Sequence, residues 1–288
     1  MEYILLEDCC EILDSMRIPI TESSRERGIY PYYGANGIQD YVSSYIFDDD
    51  LVLLAEDGGS FGSKTKPIAY RVSGKCWVNN HAHVLKPKEG IDVDFLCYSL
   101  MFYNTKGLVN GATRQKLTQS AMRKMKIPKL HIDIQLDIVK EIKSVISIID
   151  NREKQLEKLS LLVRARFVEM FGDIIINDRL WKNDNWSNVV KIVNGKNQKS
   201  VESNDGKYVI CGSGGIMGRA TDYLTEENSV IIGRKGNINK PILMREKYWN
   251  VDTAFGVEPN ENYICVEYLY MFCLFFDFNR LNKAVTIF

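Results

Sequence analysis

An excess of either charge is missing from this chain of 288 residues: 37 Lys and Arg stand against 37 Asp and Glu. Such a balance excludes a protein that coats nucleic acid by bulk electrostatics, so any polyanion contact has to come from local patches or a basic partner. Cysteines are few and odd in number, seven in all (Cys9, Cys10, Cys76, Cys97, Cys211, Cys265 and Cys273), and no two form a Cys-x-x-Cys pair. That excludes a zinc knuckle and an even disulfide framework, and fits a reducing cytoplasm. Long apolar runs are absent too. The nearest candidate, Tyr268 to Phe276, ends at Asp277 and is too short for a span of about 18 residues; it reads as a core helix. Met1 to Asp8 has no basic segment and meets acids before any long apolar run, so no signal sequence is expected. What remains is an ordinary globular composition, 45% hydrophobic and 26% charged, enough for a real core and for two domains.

Signatures of stand-alone chemistry are also lacking. The sequence contains no Asn-Pro-Pro-Tyr box and no Phe-x-Gly-x-Gly loop. The stretch Gly58 to Thr65 nearly spells a phosphate-binding loop, but Ser63 stands where glycine must precede Lys64, and Pro67 blocks the helix that should follow. Glu141-Ile142-Lys143 has the end of a nuclease motif without a Pro-Asp pair before it. His81 and His83 could share one face of a strand, but no third ligand of suitable spacing accompanies them, and no metal site is expected.

The strongest positive signal is an internal repeat. Tyr30-Pro31-Tyr32-Tyr33-Gly34-Ala35-Asn36-Gly37-Ile38 reappears as Tyr208-Val209-Ile210-Cys211-Gly212-Ser213-Gly214-Gly215-Ile216, an offset of 178. The same offset links Tyr45 to Tyr223, Val52 to Val230 and Gly58 to Gly236. Upstream the offset is 180, Ile12 matching Ile192, and downstream it is 172, with Trp77, Ala82 and Pro87 matching Trp249, Ala254 and Pro259. Each unit mixes short β-like runs, such as Leu51 to Leu54 and Val230 to Ile232, with a later helix-like run, Phe95 to Tyr103 or Tyr268 to Phe276. The fold class is therefore α/β (α+β), with two homologous units.

Between the units, Ile132, Leu136, Val139, Ile142, Ile146, Ile149, Leu156, Leu159, Val163, Phe167 and Met170 step mostly by three and four, without Gly or Pro, up to Gly172. That spacing predicts one long coiled-coil-type helix with an apolar seam. At about 1.5 Å per residue it would span roughly 60 Å, and its seam needs a second helix to cover it. The predicted boundaries are 1–130 for the first unit, 131–172 for the helix and 173–288 for the second unit.

The Tyr-Pro-Tyr-Tyr-Gly-Ala-Asn-Gly-Ile motif, the exit Leu117-Thr118-Gln119-Ser120 to Ile127-Pro128, and the helix reaching Arg164-Ala165-Arg166-Phe167 and Met170-Phe171-Gly172-Asp173 together resemble the specificity subunit of type I restriction-modification systems. The resemblance covers essentially the whole chain. It implies two target-recognition domains that each read half of a bipartite DNA site, with paired helices setting the unread gap. It also implies a non-catalytic cytoplasmic chain whose partners are double-stranded DNA, the modification (methyltransferase) subunits and, through the complex, the restriction subunit. S-adenosylmethionine, ATP and Mg then belong to those partners, with no cofactor in this chain. The second unit stops at Asn282 to Phe288, opposite about Asn110 to Lys116, with no second exit motif. Antiparallel homodimerisation through the long helix is therefore expected, or capture by a partner's helices. The alternative is a truncated assembly or decoy protein that occupies methyltransferase subunits without reading DNA specifically.

Candidate DNA contacts follow from the loops. The Gly-rich turns present Tyr33, Asn36 and Ser213, either as architecture or as direct contacts. Just after them, Gln39 and Asp40 in unit one and Arg219 in unit two are specificity candidates, since different half-sites need different side chains at matching places. Ser60 and Lys64 sit in a glycine loop that can approach DNA closely. Asn79 and His81 stand near a base edge or on a plain polar surface. Arg114, Lys116, Lys124 and Lys126, part of a basic run with Arg123 and Lys129, contact phosphate, dock on the methyltransferase subunit, or form a solvated face. The same choice holds for Arg234 and Lys235 in unit two.

Overall fold

The structure, a computed structural model, describes residues 2–111, 114–234 and 237–281. Its contacts divide into two compact units, Met1–Arg152 and Glu153–Phe288, and the division falls inside one helix.

Unit one runs β1 (Tyr3–Leu5), α1 (Leu6–Cys9), β2 (Cys10–Ile12), β3 (Arg27–Gly34), β4 (Gly37–Val42), β5 (Phe47–Ala55), β6 (Ala69–Val78) and β7 (Ala82–Pro87). It continues through α2 (Val93–Met101), β8 (Val109–Asn110), β9 (Lys116–Leu117), α3 (Gln119–Arg123) and β10 (Lys126–Pro128) into α4 (Ile132–Phe171). A six-stranded sheet has the order β2-β7-β5-β6-β3-β4, antiparallel except where β3 lies parallel to β6. The central strand reads Leu51-Val52-Leu53-Leu54-Ala55, a continuous apolar run suited to burial on both faces. Val52 and Leu54 pack with Phe95, Leu96 and Leu100 of α2, and the alternate residues Leu51 and Leu53 pack with Val72, Val78 and Val84. All four β5 side chains are fully buried, each worth about 1.5–3 kcal/mol of burial. Helix α2 starts two residues before its apolar run because the Asp92 carboxylate accepts the Phe95 N–H as an N-cap. The exit segment closes this core with Leu117, Met122, Met125 and Ile127, all fully buried, while β10 pairs with β1.

Unit two repeats the plan. It contains α5 (Trp186–Val189), β11 (Val190–Asn194), β12 (Tyr208–Gly212), β13 (Gly215–Ala220), β14 (Ser229–Gly233), β15 (Ile242–Met244), β16 (Tyr248–Asn250), β17 (Ala254–Pro259) and α6 (Val266–Phe275). The strand orders are β11-β17-β14-β15 and β13-β12-β16. Pairing reproduces the register of the repeat: Ile12 faces Leu85 and Ile192 faces Val257, while Leu54 faces His83 and Ile232 faces Phe255. One departure is that the long β6 has two short counterparts, β15 and β16, which split the sheet.

The predicted long helix is a single 40-residue element. At its start the buried Gln135 amide donates to the Gly90 and Leu130 carbonyls and accepts the Asp92 N–H, tying α4 to unit one. At its end the Phe167 ring packs on Tyr268 and Phe275 of α6, with centroids 5.8 and 5.3 Å away. Of the predicted seam only Val139 and Phe167 are buried; Leu136, Ile146, Ile149, Leu156, Leu159, Val163 and Met170 stay exposed. Among the described residues, no helix is long and apolar enough to cross a membrane.

Candidate nucleic-acid interface

Three loops and the exit segment meet around Asp57 in unit one. The β3–β4 hairpin supplies Asn36 and Gln39, and its turn requires the positive φ of Gly37, +105°. At Gly34 a Cβ would come within 2.2 Å of the Gln39 amide nitrogen, so the Gln39 side chain would have to move to admit one. Asn36 Nδ2 donates to Gly58 O at 3.0 Å, joining the hairpin to the loop after β5. Asn79 Nδ2 donates to Gln39 Oε1 at 3.0 Å, while Asn79 Oδ1 accepts the His81 N–H at 2.8 Å. Beside this array Tyr33, Asn36, Gly37, Ile38, Ser60, Lys66, Pro67 and Tyr70 line an open cavity of about 620 Å³.

The predicted cations do not all stand free. Arg114 Nη2 is 2.5 Å from Asp57 Oδ1, which also lies 2.8 Å from His81 Nδ1. Lys116 Nζ is 2.9 Å from Glu56 Oε1, and Arg17 Nη1 is 2.7 Å from Glu56 Oε2. Burial pushes the Glu56 carboxyl up, but hydrogen bonds from Arg17 and Lys116, helped by the charge of His83, outweigh it and hold the group below its ordinary range. Arg123 and Lys129, in the same basic run, are met by Glu7 and Glu2. Lys124 and Lys126 are exposed, and no acid among the described residues meets them.

Other predicted contacts lie elsewhere. Asp40 follows Gln39 on β4, where the pairing with β3 shifts register, and its carboxylate meets Arg25 at 3.3 Å. Lys64 is exposed in the loop that also holds Ser60. In unit two, Arg234 stacks 5.8 Å from the Phe255 ring centroid, and a Cβ at Gly233 would meet the Ser213 side chain at 2.9 Å, so these two loops are neighbours. Arg219 stands apart and donates to Gly206 O at 3.4 Å. Lys235 lies outside the described residues, as do the matched Gly236 and the segment 282–288.

Sequence reasoning missed the acids. Asp14, Glu56 and His83 bring potential ligand atoms within 4.8 Å of one another, which is metal-like spacing. The groups are already engaged, however: His83 Nδ1 and Gln119 Nε2 reach Asp14 Oδ2 at 2.7 and 3.0 Å, and Arg17 and Lys116 occupy Glu56. The chemistry is that of a buried ion-pair network. The only signal in the sequence was the placement of Glu56 and Asp57 directly after a strand buried on both faces.

A family model described as the type I restriction modification DNA specificity domain matches residues 1–161 and 179–287. A Haemophilus influenzae protein named as a type I restriction enzyme specificity subunit is 39% identical over 140 residues, covering 49% of this chain and 36% of that protein. The Escherichia coli EcoprrI specificity subunit is 26% identical over 108 residues, or 38% of this chain and 26% of its own. The chain thus spans about a third or less of these relatives' lengths in the matched stretches. Among solved structures, the type I restriction-modification S subunit from M. genitalium superposes with a TM-score of 0.60 at 14% identity, covering 99% of this chain and 80% of that one.

Proposed function

Because the chain belongs to the type I restriction modification DNA specificity family, we propose that it reads a bipartite DNA site, one half-site per unit, and directs adenine methylation and restriction carried out by partner subunits. The observation that carries this reading is one sheet plan built twice with different side chains at matching loop positions. Asn36, Gln39, Asn79 and His81 of unit one correspond to Gly214, Met217, Val251 and Thr253 of unit two. Equivalent scaffolds carrying different hydrogen-bonding groups are what two unrelated half-sites require.

The chain supplies recognition, and S-adenosylmethionine, ATP and Mg are assigned to the modification and restriction subunits. The exposed apolar stripe of α4, with Leu156 and Leu159, is the surface we assign to helix pairing, with a second copy or with the modification subunits. Mapping methylated adenines across the genome with and without the gene tests the whole reading. The expected result is one bipartite motif that disappears with the gene; an unchanged methylation pattern would refute it.

A further inference from the structure

The array around Asp57 fixes the hydrogen-bonding character of one reading residue. We infer that His81 presents an unprotonated Nε2 to the major groove and selects a base carrying an exocyclic amine, adenine or cytosine, at one position of the half-site read by unit one. This rests on the proposed reading of DNA by that unit and adds the residue and the class of base edge.

The argument starts at the other ring nitrogen. His81 Nδ1 lies 2.8 Å from Asp57 Oδ1, and a carboxylate oxygen can only accept, so Nδ1 carries the hydrogen. The same oxygen receives Arg114 Nη2 at 2.5 Å. Arg114 Nη2 also stands 3.4 Å from His81 Nδ1, but a guanidinium only donates, so both groups point at Asp57 rather than at each other. With Nδ1–H committed, Nε2 holds a lone pair, and no described residue engages it. The side chain is 36% exposed, and its backbone N–H is pinned to Asn79 Oδ1, so the ring is both held and accessible.

Asn36 adds an acceptor nearby, its Oδ1, while one hydrogen of its Nδ2 is held by Gly58 O. In the major groove, adenine N6 and cytosine N4 are the donors, whereas guanine and thymine present acceptors there. An acceptor at His81 therefore favours the first pair and leaves two lone pairs facing each other with the second.

The test selects preferred duplexes from a randomised library with the full chain and its modification subunits. The wild type should enrich adenine or cytosine at one position of one half-site, by about tenfold over guanine or thymine. His81→Ala should flatten that position alone. Wild-type protein on duplexes lacking only the exocyclic amine at that position serves if a variant fails to fold; binding should drop about tenfold. Uniform weakening by His81→Ala with preference unchanged, or indifference of the wild type to the missing amine, overturns the assignment to His81. A wild type with no preference at any position would instead refute the DNA-reading function itself.

Discussion

His83 Nδ1 lies 2.7 Å from Asp14 Oδ2, and both side chains are buried. On the far side of the ring, Nε2 is 2.9 Å from Leu117 O, a carbonyl that only accepts, so the imidazole donates at both ends. One residue of β7 thereby ties the region after β2 to the exit segment. Asp14 further accepts the Val84 N–H at 2.9 Å and Gln119 at 3.0 Å. Removing this acceptor leaves several buried donors unpaired. Asp14→Ala should cost about 3–5 kcal/mol in chemical denaturation. At the matched positions unit two has Asn194 and Phe255. The double change Asp14→Asn with His83→Phe removes both partners at once and should cost less than Asp14→Ala. A double variant less stable than Asp14→Ala would show that the pair is not the linchpin.

The same node sets an acid limit. Burial pushes the Asp14 carboxyl up, but hydrogen bonds from His83, Val84 and Gln119 and the charge of His83 prevail, holding it below the ordinary range; Glu56 behaves likewise. A carboxylate depressed in the folded state contributes stability that is present above its unfolded value, about 4, and lost as pH falls through the folded value. The stability gap between wild type and Asp14→Asn, followed by urea unfolding, should therefore close as pH falls below about 4. A gap independent of pH down to 3 would mean that Asp14 acts by shape alone.

What the sequence made legible was periodic. The repeat offsets reappear as strand register, and the three-and-four spacing became α4. What it hid was pairing at long range. Arg114, Lys116, Arg123 and Lys129 read as a free basic run, yet their acids lie 57, 60, 116 and 127 residues earlier, at Asp57, Glu56, Glu7 and Glu2. Spacing also could not separate His81 from His83: the two share a pattern, but one is buried on Asp14 while the other stays accessible beside Asp57.

Those pairings divide the cations into two kinds. Lys124 and Lys126 are exposed and unanswered by acids, so if they touch phosphate each should release about one counterion. Replacing both with Ala should weaken binding to every sequence alike and flatten the salt dependence by about 1.8 in log–log slope. Arg114→Ala should differ, since its charge is already met by Asp57 and the change also frees the His81 partner. Its expected signature is altered base preference with a nearly unchanged salt slope. Competition binding at two salt concentrations separates the cases, and equal slopes for the two variants would sink the distinction.

The last prediction concerns α4. Leu156 and Leu159 are 65% and 55% exposed, and with Val163, Tyr270, Met271, Leu274 and Phe275 they line an open groove of about 640 Å³ within unit two. Apolar side chains this exposed gain little from the chain's own fold, so Leu156→Lys with Leu159→Lys should leave the melting temperature nearly unchanged, each costing less than about 0.5 kcal/mol. Any assembly through the stripe would have to bury two ammonium groups, at a cost of several kcal/mol. Sedimentation should then show the wild type self-associated, or bound to modification subunits when these are added, and the variant released from both states at the same concentration. A variant that stays folded and sediments like the wild type, alone and in the mixture, would show that this stretch of the stripe is not the assembly surface.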